Sequence, residues 1–221
     1  MNFETEQLAE TMLSGDYSKS WEIIQKQFTA KRNSLYIYDK LLTDAMRYIG
    51  QLWEHNAISV ADEHLASAVC DRLITQYSEL QPADTSSRKK AMFLCMEGEQ
   101  HYLGLKMVSS FFQECGWSTR FYGPNLPLEY ALISALSWKP DVVGLSVSMV
   151  YPLPKLADYI RAFEQLHHKP TVLVGGRLVG KYDLPSHGSK RTVFITDLLE
   201  LQQWMREQQG KLHVNSKQSL G

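Results

Sequence analysis

The chain has 221 residues, 44% of them apolar, and its 23 basic and 24 acidic side chains leave a formal net charge of −1. That length suits one large domain or two small ones with a sizeable core, and the near-neutral charge argues against a chain built mainly to grip nucleic acid, though not against a local basic patch. Three widely spaced cysteines, Cys70, Cys95 and Cys115, without a CxxC pair fit a reducing cytoplasmic setting; the acidic, polar start is no secretory signal, and no apolar run reaches membrane-spanning length.

Residues 1–80 read as helix throughout. Glu6–Leu13 is a short amphipathic segment closed by Gly15. Asp16 can cap a second helix, Tyr17–Ala30, which buries Trp21, Ile24 and Phe28. Asn33 or Ser34 can cap a third, Leu35–His55, with Leu41, Leu42, Ala45, Ile49, Leu52 and Trp53 on one stripe. Ser59 opens a fourth, with Asp62 and Glu63 in its favourable first turn and Leu65, Val69, Leu73 and Tyr77 inward. Four helices with short connections make a bundle.

Residues 81–90, polar and carrying Pro82, read as a linker. Strands then alternate with helices over 91–210. Strands are expected at Ala91–Met96, Ser118–Tyr122, Val142–Val147, Thr171–Val174 and Thr192–Ile195. Helices are expected at Leu103–Cys115, Pro127–Trp138, Pro154–His167 and Leu198–Gln209, and 211–221 reads as a frayed tail. The fold class is therefore α/β: a four-helix bundle followed by a doubly wound, Rossmann-like, flavodoxin-type parallel sheet of five strands.

Chemistry concentrates at the carboxyl ends of the predicted strands, where such sheets place ligands. Glu99-Gln100-His101-Tyr102-Leu103-Gly104 joins the first strand to its helix. An imidazole there can point toward a metal, and the nearby carboxylate can accept its other N–H and raise its basicity. The alternative is an ordinary loop histidine. Ser146 and Ser148 end the third strand, and Gly175-Gly176 the fourth, where glycines allow a ligand close to the backbone or simply form a turn. Neither GxGxxG after the first strand, nor GxxxxGK[ST], nor GxSxG is present, which removes dinucleotides, P-loop nucleotides and the hydrolase elbow.

Glu99-x-His101-x-x-Gly104, Ser146 and Gly175-Gly176 together resemble the cobalamin-binding domain of B12 proteins, whose usual pattern is D-x-H-x-x-G, S-x-L and GG. Glu99 departs from the commoner Asp, and Ser146-Val147-Ser148-Met149 only approximates S-x-L. The resemblance implies that His101 is the lower cobalt ligand and that the displaced nucleotide tail lies beside Ser146, Ser148, Gly175 and Gly176. Trp53, followed after nine residues by Glu63-His64, resembles the cap of the CarH/LitR-type B12-dependent photoreceptors. That resemblance implies that Trp53, Val60, Glu63 and His64 enclose the upper face and a 5′-deoxyadenosyl group. The family's histidine directly after the Trp is replaced by Glu54, with His55 one residue on, about 100° further round a helix.

Two functions follow as expectations. The first is a light-sensing signalling protein, not an enzyme and without catalytic residues. It would hold adenosylcobalamin, or methylcobalamin, between cap and α/β domain with His101 on cobalt. Photolysis of the Co–C bond would signal to a separate regulator protein, with a homo-oligomer possible and no direct DNA binding or membrane contact. The MerR-type DNA-binding domain of those photoreceptors has no counterpart in the sequence. The second is a corrinoid methyl carrier of a methyltransferase system. The Trp53/Glu63-His64 spacing places the first ahead.

Overall fold

The computed structural model describes residues 3–81, 89–182, 184, 188–189 and 191–218. Most of the expected linker, 82–88, lies outside them, as do 219–221 of the expected tail.

The bundle comprises α1 (Phe3–Leu13), α2 (Tyr17–Thr29), a π-helical segment (Tyr36–Thr43) that runs into α3 (Asp44–Glu54), and α4 (Val60–Glu79). Its starts follow the local chemistry. Asp16 accepts the Lys19 N–H at 3.0 Å, Asn33 Oδ1 accepts that of Tyr36 at 3.1 Å, and Ser59 and Asp62 form a reciprocal capping box on α4. The third helix differs from expectation in opening as a π-helix. The adjacent pairs Ile37-Tyr38 and Leu41-Leu42 are all fully buried, and the wider turn lets both members of each pair face inward.

The second part contains β1 (Lys90–Cys95), α5 (Leu103–Glu114), β2 (Ser118–Phe121), α6 (Leu128–Trp138), β3 (Val142–Ser146), α7 (Leu153–Glu164), β4 (Thr171–Gly175), β5 (Thr192–Phe194) and α8 (Leu198–Gln218). The helical backbone of α8 continues through Gly210 to Gln218, where a frayed tail from 211 was expected; a glycine costs a helix only about 1 kcal/mol. The strands are all parallel, in the order β2-β1-β3-β4-β5. That is the flavodoxin-type order, whose switch point lies between β1 and β3.

Burial on both faces explains the near-continuous apolar strands. Ala91, Phe93 and Cys95 of β1 join one core with α5, α8 and the bundle. Met92, Leu94 and Met96 join a second core with α6 and α7. The period of two along an extended chain divides them. Gly144 of β3 makes room for Phe93, whose ring would lie 2.4 Å from an added Cβ.

The bundle is tied to α5 by more than apolar contact. Lys106 Nζ donates to Asp71 Oδ1 at 2.7 Å, Thr75 Oγ1 at 2.7 Å and the Asp71 carbonyl at 3.2 Å. Tyr38 OH donates to Glu114 Oε1 at 3.1 Å. Asp71 thus meets the start of α5, and Tyr77 lies in the field of Glu114 at its end, so α4 and α5 run side by side in the same direction. Glu63 lies eight residues before Asp71, a rise of about 12 Å. The α3–α4 corner therefore overhangs the end of the sheet from which the β1–α5 loop emerges. Leu65, expected in the core, is 45% exposed because it belongs to this projecting part, where it covers Gly15.

Candidate functional site

The β1–α5 loop turns sharply at Gly98, whose φ of +88° suits glycine, and the Glu99 N–H closes the turn on the Met96 carbonyl at 2.9 Å. The turn sends the Glu99 side chain inward, to zero exposure. Four donors meet it there. Oε1 accepts the His101 backbone N–H at 2.9 Å and its Nδ1–H at 2.7 Å; Oε2 accepts the N–H groups of Ser148 at 2.6 Å and Met149 at 3.0 Å. Burial is the largest single influence on this carboxyl and pushes it up. The ring and backbone of His101, the Ser148 amide and the His101 charge together outweigh it, holding Glu99 below the usual carboxylate range. Glu99 is thus an ionised acceptor under a histidine.

The consequence for His101 is chemical. With Nδ1–H committed to Glu99, the free lone pair of the neutral ring falls on Nε2. The side chain is 47% exposed, so Nε2 is presented to whatever lies over the loop. Among the described residues no group of three His, Cys, Asp or Glu side chains converges to hold a metal. A single imidazole of this kind suits a metal that already carries its equatorial ligands, as cobalt does in a corrin. Gly104, three residues on, is exposed, with nothing within 4 Å of an added Cβ. Cys95 below the loop is not a competing ligand. Burial, with the Glu99 charge adding, pushes its thiol up to about 12.

The other predicted residues come together, though not always in the expected roles. Ser146 is buried and its hydroxyl donates to the His101 carbonyl at 3.2 Å, so it braces the loop. Ser148 contributes its backbone N–H to Glu99. Gly175 pairs with Ser146 at the end of β4, and an added Cβ would meet only the Ile195 carbonyl, at 3.7 Å. Gly176, at φ +122°, makes room for the chain's own Val147 carbonyl, which would lie 2.2 Å from an added Cβ.

On the overhang, Trp53 is 49% and Val60 56% exposed, both larger than an ordinary bundle-core position permits. Glu63 accepts the Ser67 hydroxyl at 2.9 Å, and His64 Nδ1–H donates to the Val60 carbonyl at 2.8 Å. An apolar plate and two polar groups thus share the overhanging corner, and His55 is tied to the Gln51 carbonyl at 2.7 Å. Sequence reasoning missed two contributors, Asn125 and Tyr159, whose side chains hold the Glu97-Gly98 backbone. The positive φ of Asn125, +58°, is the one trait a sequence can hint at, since Asn tolerates that region.

Comparison with known proteins gives the family. A family model described as B12 binding domain matches residues 4–77, and a second of the same description matches 89–183. Dimethylamine corrinoid protein 1 of Methanosarcina acetivorans is 25% identical over 144 residues, 63% of this chain and 68% of that protein. The HTH-type transcriptional repressor CarH of Myxococcus xanthus is 30% identical over 113 residues, 51% of this chain but only 37% of that protein. The monomethylamine corrinoid protein of Methanosarcina barkeri has the same fold, with a TM-score of 0.72 at 17% identity over 89% of this chain and 94% of that one. The two matched domains span most of the described residues, and the chain belongs to the B12 binding family, with cobalamin as its cofactor.

Proposed function

We propose that this chain is a corrinoid carrier, which holds cobalamin with His101 as lower cobalt ligand and offers the upper face to a partner protein. The observation that carries the reading is the Glu99–His101 pair, with a buried acceptor at 2.7 Å on Nδ1 and an exposed imidazole. Relatives named as corrinoid proteins support it: one is 25% identical over 68% of its length, and another shares the fold over 94% of its length. The bound cofactor would supply a cobalt–carbon bond that can be handed on or broken. The chain's own part is to fix the imidazole's tautomer, keep Glu99 ionised and cover one side of the site with the α3–α4 corner. It is then not itself an enzyme; the transfer chemistry belongs to the partner.

A light-sensing role is the second reading, favoured by Trp53, Val60, Glu63 and His64 on that corner. The sequence motif alone places it first; the match along the corrinoid proteins reverses the order. Reconstitution in the dark with adenosylcobalamin and with methylcobalamin tests both. Failure to retain either through gel filtration overturns both readings. If corrinoid is retained, a carrier keeps its oligomeric state on illumination of the adenosyl form, whereas a sensor changes it.

A further inference from the structure

The turn that carries Glu99 does not hold itself together. Among the N–H groups of Glu97, Gly98 and Glu99, only the last is satisfied within the turn, on Met96. The Glu97 N–H donates to Tyr159 OH at 3.1 Å, and that hydroxyl donates onward to the Leu126 carbonyl at 2.7 Å. The Gly98 N–H donates to Asn125 Oδ1 at 2.9 Å, while the Asn125 N–H donates back to the Glu99 carbonyl at 3.0 Å. Asn125 lies in the loop between β2 and α6, and Tyr159 is a buried residue of α7. Two elements remote in sequence thus bracket one turn from its outer side. Glu99 itself is held by the Ser148 and Met149 amides and the His101 ring and backbone, the His101 carbonyl accepts the Ser146 hydroxyl at 3.2 Å, and Lys155 Nζ pairs with Glu97 Oε2 at 2.5 Å.

We infer that Asn125 and Tyr159 are positioning residues for the lower cobalt ligand, acting through Glu99. This rests on the reading of His101 as that ligand. Glu99 can serve His101 only while its carboxylate stays within hydrogen-bond reach of Nδ1, and the Gly98 turn sets that position. Freed from Asn125 and Tyr159, the N–H groups of Glu97 and Gly98 lose their partners, and the turn relaxes toward water to regain them. The carboxylate then moves off the ring, and the imidazole loses basicity and direction as a ligand. Asn is suited to its place twice over, since it tolerates φ +58° and supplies an acceptor.

The test uses the full chain in two forms. In the apo protein, amide hydrogen exchange at Glu97 and Gly98 is measured for wild type, Asn125→Gly, Asn125→Asp and Tyr159→Phe. Asn125→Gly keeps the left-handed backbone without the acceptor; Asn125→Asp keeps both. The same proteins are loaded with cobalamin, reduced to the cobalt(II) state, and the His-on fraction is read from nitrogen splitting in the electron paramagnetic resonance spectrum. Asn125→Gly is expected to speed exchange at Gly98, and Tyr159→Phe at Glu97. Each should lower the ratio of His-on to His-off cofactor about tenfold, the low end of the effect of removing a ligand's supporting partner, and Asn125→Asp should restore it. If either of the first two variants fails to fold, the other still decides. A wild-type His-on ratio in Asn125→Gly and Tyr159→Phe, with Glu99→Gln lowering it, would overturn the inference. If the wild-type protein shows no histidine nitrogen on cobalt, the ligand reading fails instead, and the two failures are distinct.

Discussion

Replacing Glu99 by Gln leaves the number of heavy atoms in the side chain unchanged, yet should be among the most damaging single substitutions in the site. The carboxylate accepts four hydrogen bonds at zero exposure, two on each oxygen. An amide offers one acceptor oxygen and a donor NH2 group. If the oxygen stays with His101, the NH2 faces the Ser148 and Met149 N–H groups, donor against donor. Each buried donor left without an acceptor costs about 1–3 kcal/mol, so with two of them the apo protein should lose about 2–6 kcal/mol in urea unfolding. The alternative flip keeps the Ser148 and Met149 contacts and places NH2 against the His101 amide and Nδ1. Both flips remove the charge under the ring, and loss of such a support lowers metal affinity about 10–100-fold. Equilibrium binding of cobalamin, followed by absorbance in the dark, measures this directly. Wild-type stability together with wild-type affinity in Glu99→Gln would refute the reasoning, because neither flip satisfies all four donors.

Three further outcomes are expected. Gly176→Ala should lose about 3 kcal/mol or more in urea unfolding, because φ is +122° and the Val147 carbonyl lies 2.2 Å from the new methyl. Gly104→Ala should do the reverse in the apo protein, gaining up to about 1 kcal/mol by helix propensity, since nothing lies within 4 Å of an added Cβ. Burial pushes the Glu114 carboxyl up, only partly offset by hydrogen bonds from Ser34 and Tyr38. The folded state therefore holds this proton more tightly than the unfolded one, and its contribution to stability is lost as pH rises from the ordinary glutamate range through the raised value. Glu114→Gln, which keeps an acceptor for Tyr38, should gain on wild type in melting temperature between pH 5 and pH 8.

The parts legible in the sequence are those set by local pattern. The five strands lie within a residue or two of expectation because each is an apolar run between turn residues, buried on both faces. Asp16 and Ser59 announce their helices because capping is a property of a few neighbouring residues. The Glu99-x-His101 spacing is readable for the same reason, since two residues suffice for the carboxylate to meet both the amide and the ring.

What the sequence conceals is long-range. The apolar spacing of Leu52, Trp53 and Leu65 fits a bundle core, but periodicity does not say where along a helix the partner ends, so the overhang is invisible. That Gly176 must also clear the Val147 carbonyl shows only once the segment after β3 is placed beside it. Asn125 and Tyr159 act on backbone amides 27 and 62 residues away, through contacts with no sequence spacing of their own. The π-helical opening depends on burying Ile37, Tyr38, Leu41 and Leu42 at once, which only the assembled bundle demands.

Whether His101 Nε2 is the lower ligand of cobalt is open to direct measurement. Protein grown with nitrogen-15 histidine, loaded with cobalamin and reduced to cobalt(II), tests it by electron paramagnetic resonance. With His101 on cobalt, the threefold splitting from an axial nitrogen-14 becomes twofold on labelling, and histidine splitting is absent in His101→Ala. A threefold pattern that labelling leaves unchanged would instead place the cofactor's own base on cobalt and rule out His101 as the ligand.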